Sequence, residues 1–327
     1  MDTLLEVSNL KTVFRQGDAV VEAVNGVSFD VRRAETVAIV GESGSGKSIT
    51  AMSIMGLIPS PPGEIVHGRI VFDGRDLLEL DDEQMRQVRG NEIAMIFQEP
   101  MSSLNPVLTI GWQLAEPIRI HRRVRGRAQV WQRCRELLGR VRIAEPERRL
   151  AAYPHEFSGG MRQRVMIAMG LACEPKLIIA DEPTTALDVT VQAQVLELLR
   201  DVTRQTGSSM ILITHDLGVV ARYADRINVM YAGHIVERGT AADIFHAPKH
   251  PYTLGLMRSI PRLDQPVGVR LEPIDGQPPD LAKLPPGCPF SPRCRHAIER
   301  CRSERPPMTQ VAAQHWKACW VDVDAER

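Results

Sequence analysis

A valine-rich run, Thr36 to Val40, leads straight into the octet GESGSGKS, which comprises Gly41, Glu42, Ser43, Gly44, Ser45, Gly46, Lys47 and Ser48. The run predicts a buried strand, and the apolar spacing after Lys47 predicts a helix, so the glycines mark a strand-to-helix corner. Such a corner demands an α/β architecture and suits an anion. Gly41, Gly44 and Gly46 lack a Cβ, so the backbone can take left-handed angles and turn several amide groups toward one ligand. The helix start adds partial positive charge. Lys47 would reach the β and γ phosphates of a nucleotide, and the Ser48 hydroxyl would ligate the Mg²⁺ that bridges them. A glycine-rich turn without function can carry the same letters, so the rest of the chain has to decide.

Two further apolar runs end in polar groups. Leu177 to Ala180 stops at Asp181 and Glu182, the pattern of a central parallel strand that delivers carboxylates at its carboxyl end. Asp181 would hold the Mg²⁺ shell, and Glu182 would orient or deprotonate an attacking water. An acidic first turn of the next helix is the competing reading. Met210 to Ile213 ends in Thr214, His215 and Asp216, placing His215 where it would contact a γ phosphate, or merely serve as a hydrogen-bonder at a strand end. Gln98 follows Ile93 to Phe97 and precedes Glu99 and Pro100, which break regular structure; its amide would ligate Mg²⁺ or position water. FSGGM, Phe157 to Met161, opens a helical stretch with Ser158, Gly159 and Gly160, a second phosphate-binding helix terminus or a plain serine cap.

Taken together these residues resemble the ATP-binding-cassette (ABC) family over roughly the first 260 residues. The resemblance implies that Gly41 to Ser48 are the Walker A loop, Gln98 the Q-loop glutamine, Ser158 to Gly160 the signature core, and Asp181 the Walker B aspartate. It further makes Glu182 the catalytic glutamate, Thr185 to Asp188 the D-loop and His215 the switch histidine, with Phe14 stacked on adenine. Phe157 and Met161 depart from the commoner LSGGQ, while the hydroxyl and both glycines remain. In that family ATP is sandwiched between the P-loop of one subunit and the signature of another, so a dimer is implied. The fold implied is a P-loop NTPase with a RecA-like parallel sheet core, an antiparallel β layer and a helical subdomain.

Composition narrows the choice of partners. Lys plus Arg number 40, as do Asp plus Glu, so nothing favours nucleic acid, and 43% hydrophobic residues in 327 suffice for a large core. No apolar stretch approaches the roughly 18–20 residues that cross a bilayer, and MDTLLEVSNL lacks the pattern of a signal peptide, so a cytosolic chain is expected. Leu4 to Val7, Val20 to Val24, Val27 to Val31 and Ile70 to Phe72 predict short strands of an antiparallel layer. From about Glu83 to Arg149 the pattern turns helical, with Arg119, Arg122, Arg123, Arg125, Arg127, Arg133 and Arg135 more consistent with a solvated face than a binding one. The family resemblance makes part of this stretch the contact with membrane subunits. Cys134 and Cys173 fall in helical stretches and read as core.

The expected division is 1–260 for the ATPase domain, with 83–170 including its helical subdomain, and 261–327 for a small extension. This last part is rich in proline, with Pro266, Pro273, Pro278, Pro279, Pro285 and Pro286, and predicts extended linkers. It carries Cys288, Cys294, Cys301 and Cys319, a clustering that points to a metal before a disulfide in a cytosolic chain, with His296 and His315 as substitute ligands. Zn²⁺ and an iron–sulfur cluster both suit four thiolates, and the spacing matches neither a ferredoxin run nor a zinc ribbon.

GCPFSPRC with the later cysteines, HPYT at His250 to Thr253, FQEPMSSLNP at Phe97 to Pro106 and HEFSGGMRQRVMIAMGL at His155 to Leu171 look like the D-type ATPase subunit of bacterial dipeptide or oligopeptide importers. That resemblance spans the chain. It implies ATP and Mg²⁺ as ligands, a 4Fe-4S cluster on the four cysteines, and a homologous second ATPase subunit in a heterodimer. Two transmembrane permease subunits and an extracytoplasmic substrate-binding protein complete the implied assembly at the cytoplasmic face of the inner membrane. Importers of nickel chelates or glutathione share such a subunit, and a soluble non-transport ABC ATPase is the remoter alternative. A GTPase is disfavoured by the absence of an NKxD-like motif.

Overall fold

The computed structural model describes residues 2–17, 19–99, 103–122, 124, 126–185, 187–259 and 273–323. Pro100, Met101 and Ser102 of the FQEPMSSLNP stretch, Arg123, Arg125, Ala186 of the D-loop stretch and Pro266 lie outside them. The strands are β1 (Thr3–Gln16), β2 (Ala19–Arg32), β3 (Thr36–Val40), β4 (Gly63–Phe72), β5 (Arg75–Asp76), β6 (Ile93–Ile96), β7 (Leu177–Asp181), β8 (Ser209–Thr214), β9 (Arg226–Tyr231), β10 (His234–Thr240), β11 (Thr309–Ala312) and β12 (His315–Lys317). The helices are α1 (Lys47–Ile54), α2 (Asp82–Val88), α3 (Ile110–His121), α4 (Arg127–Arg140), α5 (Pro146–Leu150), α6 (Gly159–Leu171), α7 (Val189–Thr206), α8 (Leu217–Tyr223), α9 (Ala241–His246), α10 (Pro251–Arg258) and α11 (Arg300–Ser303).

The chain divides into two compact units. One is built from Met1–Asp2, Arg32–Glu35 and Glu79–Leu212. In it β6 runs parallel to β7, Ile93 beside Leu177 and Ile96 beside Ala180. Every residue of β7 is buried, as a parallel strand covered on both faces requires. Helix α7 shows how local rules set a boundary here. Asp188 caps its start by accepting from the Val191 amide, Val195, Leu196, Leu198, Leu199 and Val202 form its buried stripe, and Gly207 ends it in a left-handed turn. Helix α2 begins with a reciprocal capping box between Asp81 and Gln84. The dense arginines of this unit are matched locally: Arg133 pairs with Glu174, Arg135 with Glu147 and Arg142 with Asp201.

The other unit holds Thr3–Val31, Thr36–Leu78 and Ile213–Arg327. Its antiparallel layer follows the order β2, β1, β4, β5. Where the sequence predicted separate strands at Val20 to Val24 and Val27 to Val31, one continuous β2 passes through Gly26, whose φ of 72° lets the chain bend without ending the strand. β3 and β9 are parallel neighbours, with Val37 opposite Arg226 and Val40 opposite Val229.

The described proline-rich part, residues 273–286, has no helix or strand, as an extended linker would, but the cysteine-containing part after it packs. Phe290 joins the core formed by Val40, Val229, Tyr231, Val236, Tyr252 and Leu256. β12 pairs antiparallel with β10, and β11 with β12. Its prolines and irregular turns mask this in the sequence, because the stabilising burial comes from residues more than thirty positions away.

Glu237 on β10 pins this arrangement. Its carboxylate is wholly buried, accepts from the Lys249 amide at 2.6 Å and the His250 amide at 3.0 Å, and lies 2.7 Å from His315 Nε2. Removing it leaves the buried His250 amide and His315 ring nitrogen, and the half-buried Lys249 amide, without this acceptor. Glu237→Ala is therefore expected to cost roughly 3 kcal/mol in chemical denaturation; an unchanged unfolding curve would show that the carboxylate does not hold the tail.

Candidate functional site

The octet Gly41–Ser48 lies between β3 and the second turn of α1, inside the second unit. Two of its glycines are required by contact. A Cβ on Gly41 would stand 2.1 Å from the Met230 carbonyl oxygen. At Gly46, φ is 103° and a Cβ would fall 2.4 Å from the Ala23 carbonyl; no side chain is accommodated there. The Gly233 amide donates to the Ser45 carbonyl at 2.8 Å, tying the loop to the turn after β9. Lys47 is buried, and its Nζ donates to the carbonyls of Gly41 and Glu42, each at 2.9 Å. The ammonium is thus folded over the loop mouth. The Ser45 hydroxyl is buried with no hydrogen-bond partner among the described residues, a polar group facing the loop that a ligand can satisfy.

Two other expected nucleotide contacts belong to this unit. Phe14 is half-buried on β1 opposite Gly63 of β4. His215 is exposed just beyond β8, ahead of α8, whose N-cap is Asp216.

The other unit carries the carboxylates and the signature. Asp181 is buried at the end of β7. Glu182 follows with φ of 45°, a left-handed setting uncommon for a side chain of its size, which directs it away from the strand line. Its Oε2 accepts from Gln98 Nε2 at 3.2 Å and from the Thr185 hydroxyl at 2.9 Å. The structure therefore brings Gln98 and Glu182 together across 84 positions of sequence. Ser158 caps α6, its hydroxyl accepting from the Met161 amide at 3.4 Å. Gly160 lies where a Cβ would meet Val191 at 2.7 Å. Asp188 is spent on capping α7, 3.0 Å from the Val191 amide.

Comparison with known proteins completes this picture. Residues 24–185 match the family model "ABC transporter", and residues 236–301 match "Oligopeptide/dipeptide transporter, C-terminal region". The chain is 53% identical to the dipeptide transport ATP-binding protein DppD of Bacillus subtilis over 98% of its own length and 95% of that protein's. It is 52% identical to a probable peptide ABC transporter ATP-binding protein of Sinorhizobium fredii, with the same two shares.

The chain belongs to the ABC transporter family.

Its fold is that of the ABC ATPase cassette. A dimeric ATP-binding cassette solved in a post-hydrolysis state with ADP and Pi matches it with a TM-score of 0.65 at 28% identity, covering 73% of this chain and 99% of that one. Like other cassettes it is an ATPase. Among the described residues no helix is long and apolar enough to cross a membrane.

Beyond the cassette core, Cys288, Cys294, Cys301 and Cys319 line one small cavity together with His250 and His296. Burial, and then the neighbouring thiols, push Cys288 and Cys294 up to about 11, so as free groups they are thiols. His250 is buried and uses Nδ1 to accept from the Tyr252 amide at 3.1 Å. The donor chemistry suits a thiolate-held centre. Among the described residues, however, no group of three or more His, Cys, Asp or Glu side chains is spaced to hold a single metal ion. Cys134 and Cys173 are buried, the latter in the turn just beyond α6 and not within the helix.

Sequence reasoning assigned no role to two residues that touch the phosphate loop. Tyr252 and Arg293 both reach Glu42. HPYT and GCPFSPRC flagged their neighbourhoods, but nothing local connects either motif to a residue over 200 positions earlier.

Because Gly46 sits against backbone on one side and needs a positive φ, Gly46→Ala is expected to abolish detectable ATP binding in equilibrium titration while the chain still folds. Wild-type affinity in that variant would contradict the cradle described above.

Proposed function

We propose that this chain is the ATP-hydrolysing subunit of a bacterial importer of dipeptides or oligopeptides, bound at the cytoplasmic face of the membrane. Full-length similarity to peptide-transport ATP-binding proteins supports the substrate class. The observation that carries the chemistry is the 3.2 Å hydrogen bond between Gln98 and Glu182.

In this reading Gly41 to Ser48 grip the triphosphate, with Lys47 exchanging the carbonyls of Gly41 and Glu42 for phosphate oxygens. Phe14 stacks on the adenine. As the family resemblance implies, Ser48, Gln98 and Asp181 would hold Mg²⁺, which would offset charge on the phosphates. Glu182 accepts a proton from the attacking water, and Gln98 holds that carboxylate in place until nucleotide arrives. His215 contacts the γ phosphate and registers its loss. Ser158, Gly159 and Gly160 present their amides to the ATP held by a homologous, non-identical partner, and Asp188 lies at that junction. ATP thus closes two subunits and hydrolysis reopens them.

Force passes to two permease subunits through the segment after Gln98. There Val107, Trp112 and Ile120 are 75%, 53% and 59% exposed, an apolar set that a solvated surface does not need and a docked helix covers. An extracytoplasmic binding protein selects the peptide. The four C-terminal thiols are assigned to a 4Fe-4S cluster, with Zn²⁺ as the alternative, and their convergence on one cavity supports a shared site.

Glu182→Gln in the assembled transporter is expected to keep ATP affinity, trap the closed dimer and cut uptake at least about 100-fold; normal turnover would refute the role of Glu182. Chain purified without air is expected to be brown and to contain iron and acid-labile sulfide. Colourless protein with one equivalent of zinc would replace the cluster by a zinc site.

A further inference from the structure

We infer that the C-terminal region is a brace for the phosphate loop, in which Arg293 and Tyr252 act as positioning residues that hold Glu42 and thereby raise affinity for ATP. The inference rests on reading Gly41 to Ser48 as the ATP loop.

Two independent contacts converge on one loop residue. Arg293, in the short turn Ser291–Arg293, sends Nη1 to Glu42 Oε2 at 2.7 Å and Nη2 to Glu42 Oε1 at 3.0 Å. This is a two-point fork on a carboxylate, the strongest geometry available to a guanidinium. The rest of the group is also engaged: Nε donates to the Asp275 carbonyl at 2.9 Å, and the two terminal nitrogens reach the Tyr231 hydroxyl and the Ile274 carbonyl, each at 3.4 Å. With its side chain only 6% exposed, Arg293 escapes the screening that makes most surface pairs negligible.

The second contact is to the backbone. The Glu42 amide donates to the Tyr252 hydroxyl at 2.8 Å. Tyr252 is itself immobile, being fully buried, edge-on to Tyr231 at 4.6 Å between centroids and 5.4 Å from Phe290. Tyr231 follows Met230, whose carbonyl abuts Gly41. The loop is therefore gripped at Glu42 by side chain and main chain together, while Gly44, with open space around it, keeps the freedom that phosphate wrapping needs.

Affinity follows for two reasons. A glycine loop already held in its bound shape loses less entropy when ligand arrives. Glu42 also carries a negative charge beside the place where phosphates gather, and Arg293 neutralises it. Deleting Arg293 removes the brace and leaves that charge uncompensated.

The test measures Mg·ATP affinity of the full-length chain by titration calorimetry, and KM and kcat in the assembled transporter. Arg293→Ala is expected to weaken ATP binding roughly tenfold, raising KM with kcat little changed. Arg293→Lys should recover only part of the loss, since an ammonium keeps the charge without the fork. Tyr252→Phe, which retains the buried ring and removes only the hydroxyl, should weaken binding about threefold. The double variant Glu42→Ala with Arg293→Ala should lose no more than Arg293→Ala alone.

Wild-type affinity in both Arg293→Ala and Tyr252→Phe, or losses from Glu42 and Arg293 that simply add, would overturn the brace while leaving the ATP site intact. If Arg293→Ala does not fold, Tyr252→Phe with unchanged affinity overturns it alone. Failure of the wild-type chain to bind ATP would instead remove the functional reading on which the brace rests.

Discussion

The close approach of the Gly41–Ser48 loop to the backbone around Met230, Ala23 and Gly233 governs this protein. The contacts leave no room for a Cβ at Gly41 or Gly46, so the loop can exist in this form only where β9 and its following turn press against it. The parallel register of β3 and β9 sets that distance, and the hydrogen bond from the Gly233 amide to the Ser45 carbonyl maintains it. Lys47 can then fold over the loop mouth, because two carbonyls are presented to its ammonium.

The C-terminal region follows from the same constraint. An appended stretch of some fifty described residues with few regular elements gains stability by sharing a core it does not own: Phe290 packs with Tyr231 and Tyr252, and Glu237 satisfies amides of the segment that leads into α10. Sharing that core brings Arg293 and Tyr252 within reach of Glu42. A loose tail could not offer a buried fork, since ordering a long side chain from solvent would consume most of what the ion pair contributes. Similarity to the oligopeptide and dipeptide transporter C-terminal region covers residues 236–301, which include both braces.

In the other unit several residues serve two masters. Ser158 and Asp188 each end a chain reversal by capping a helix, the plain structural reading of such residues, and each also stands where the family reading needs a polar group. Capping holds a hydroxyl or carboxylate in one rotamer, so the structural job and the proposed one are compatible. Glu182 differs, for it caps no helix and its carboxylate is held by Gln98 and Thr185.

The amino-acid sequence by itself determined the strand–glycine loop–helix corner, the buried parallel strands at Thr36–Val40 and Leu177–Asp181 and the family, because these signals are local: β-branched runs, missing Cβ atoms and carboxylates at strand ends act within a few residues. It could place Gln98 and Glu182 in one family scheme but not in one hydrogen bond. The continuous β2 escaped it, since a glycine inside a strand reads equally as a break. So did the packed tail, whose prolines speak locally for extension while its stability comes from distant aromatic rings. The link from Arg293 to Glu42, spanning 251 positions, was decided only by tertiary structure. Nothing in the neighbours of either residue records the other, and only the folding of β9, α10 and the cysteine turn around a common core brings charge to charge.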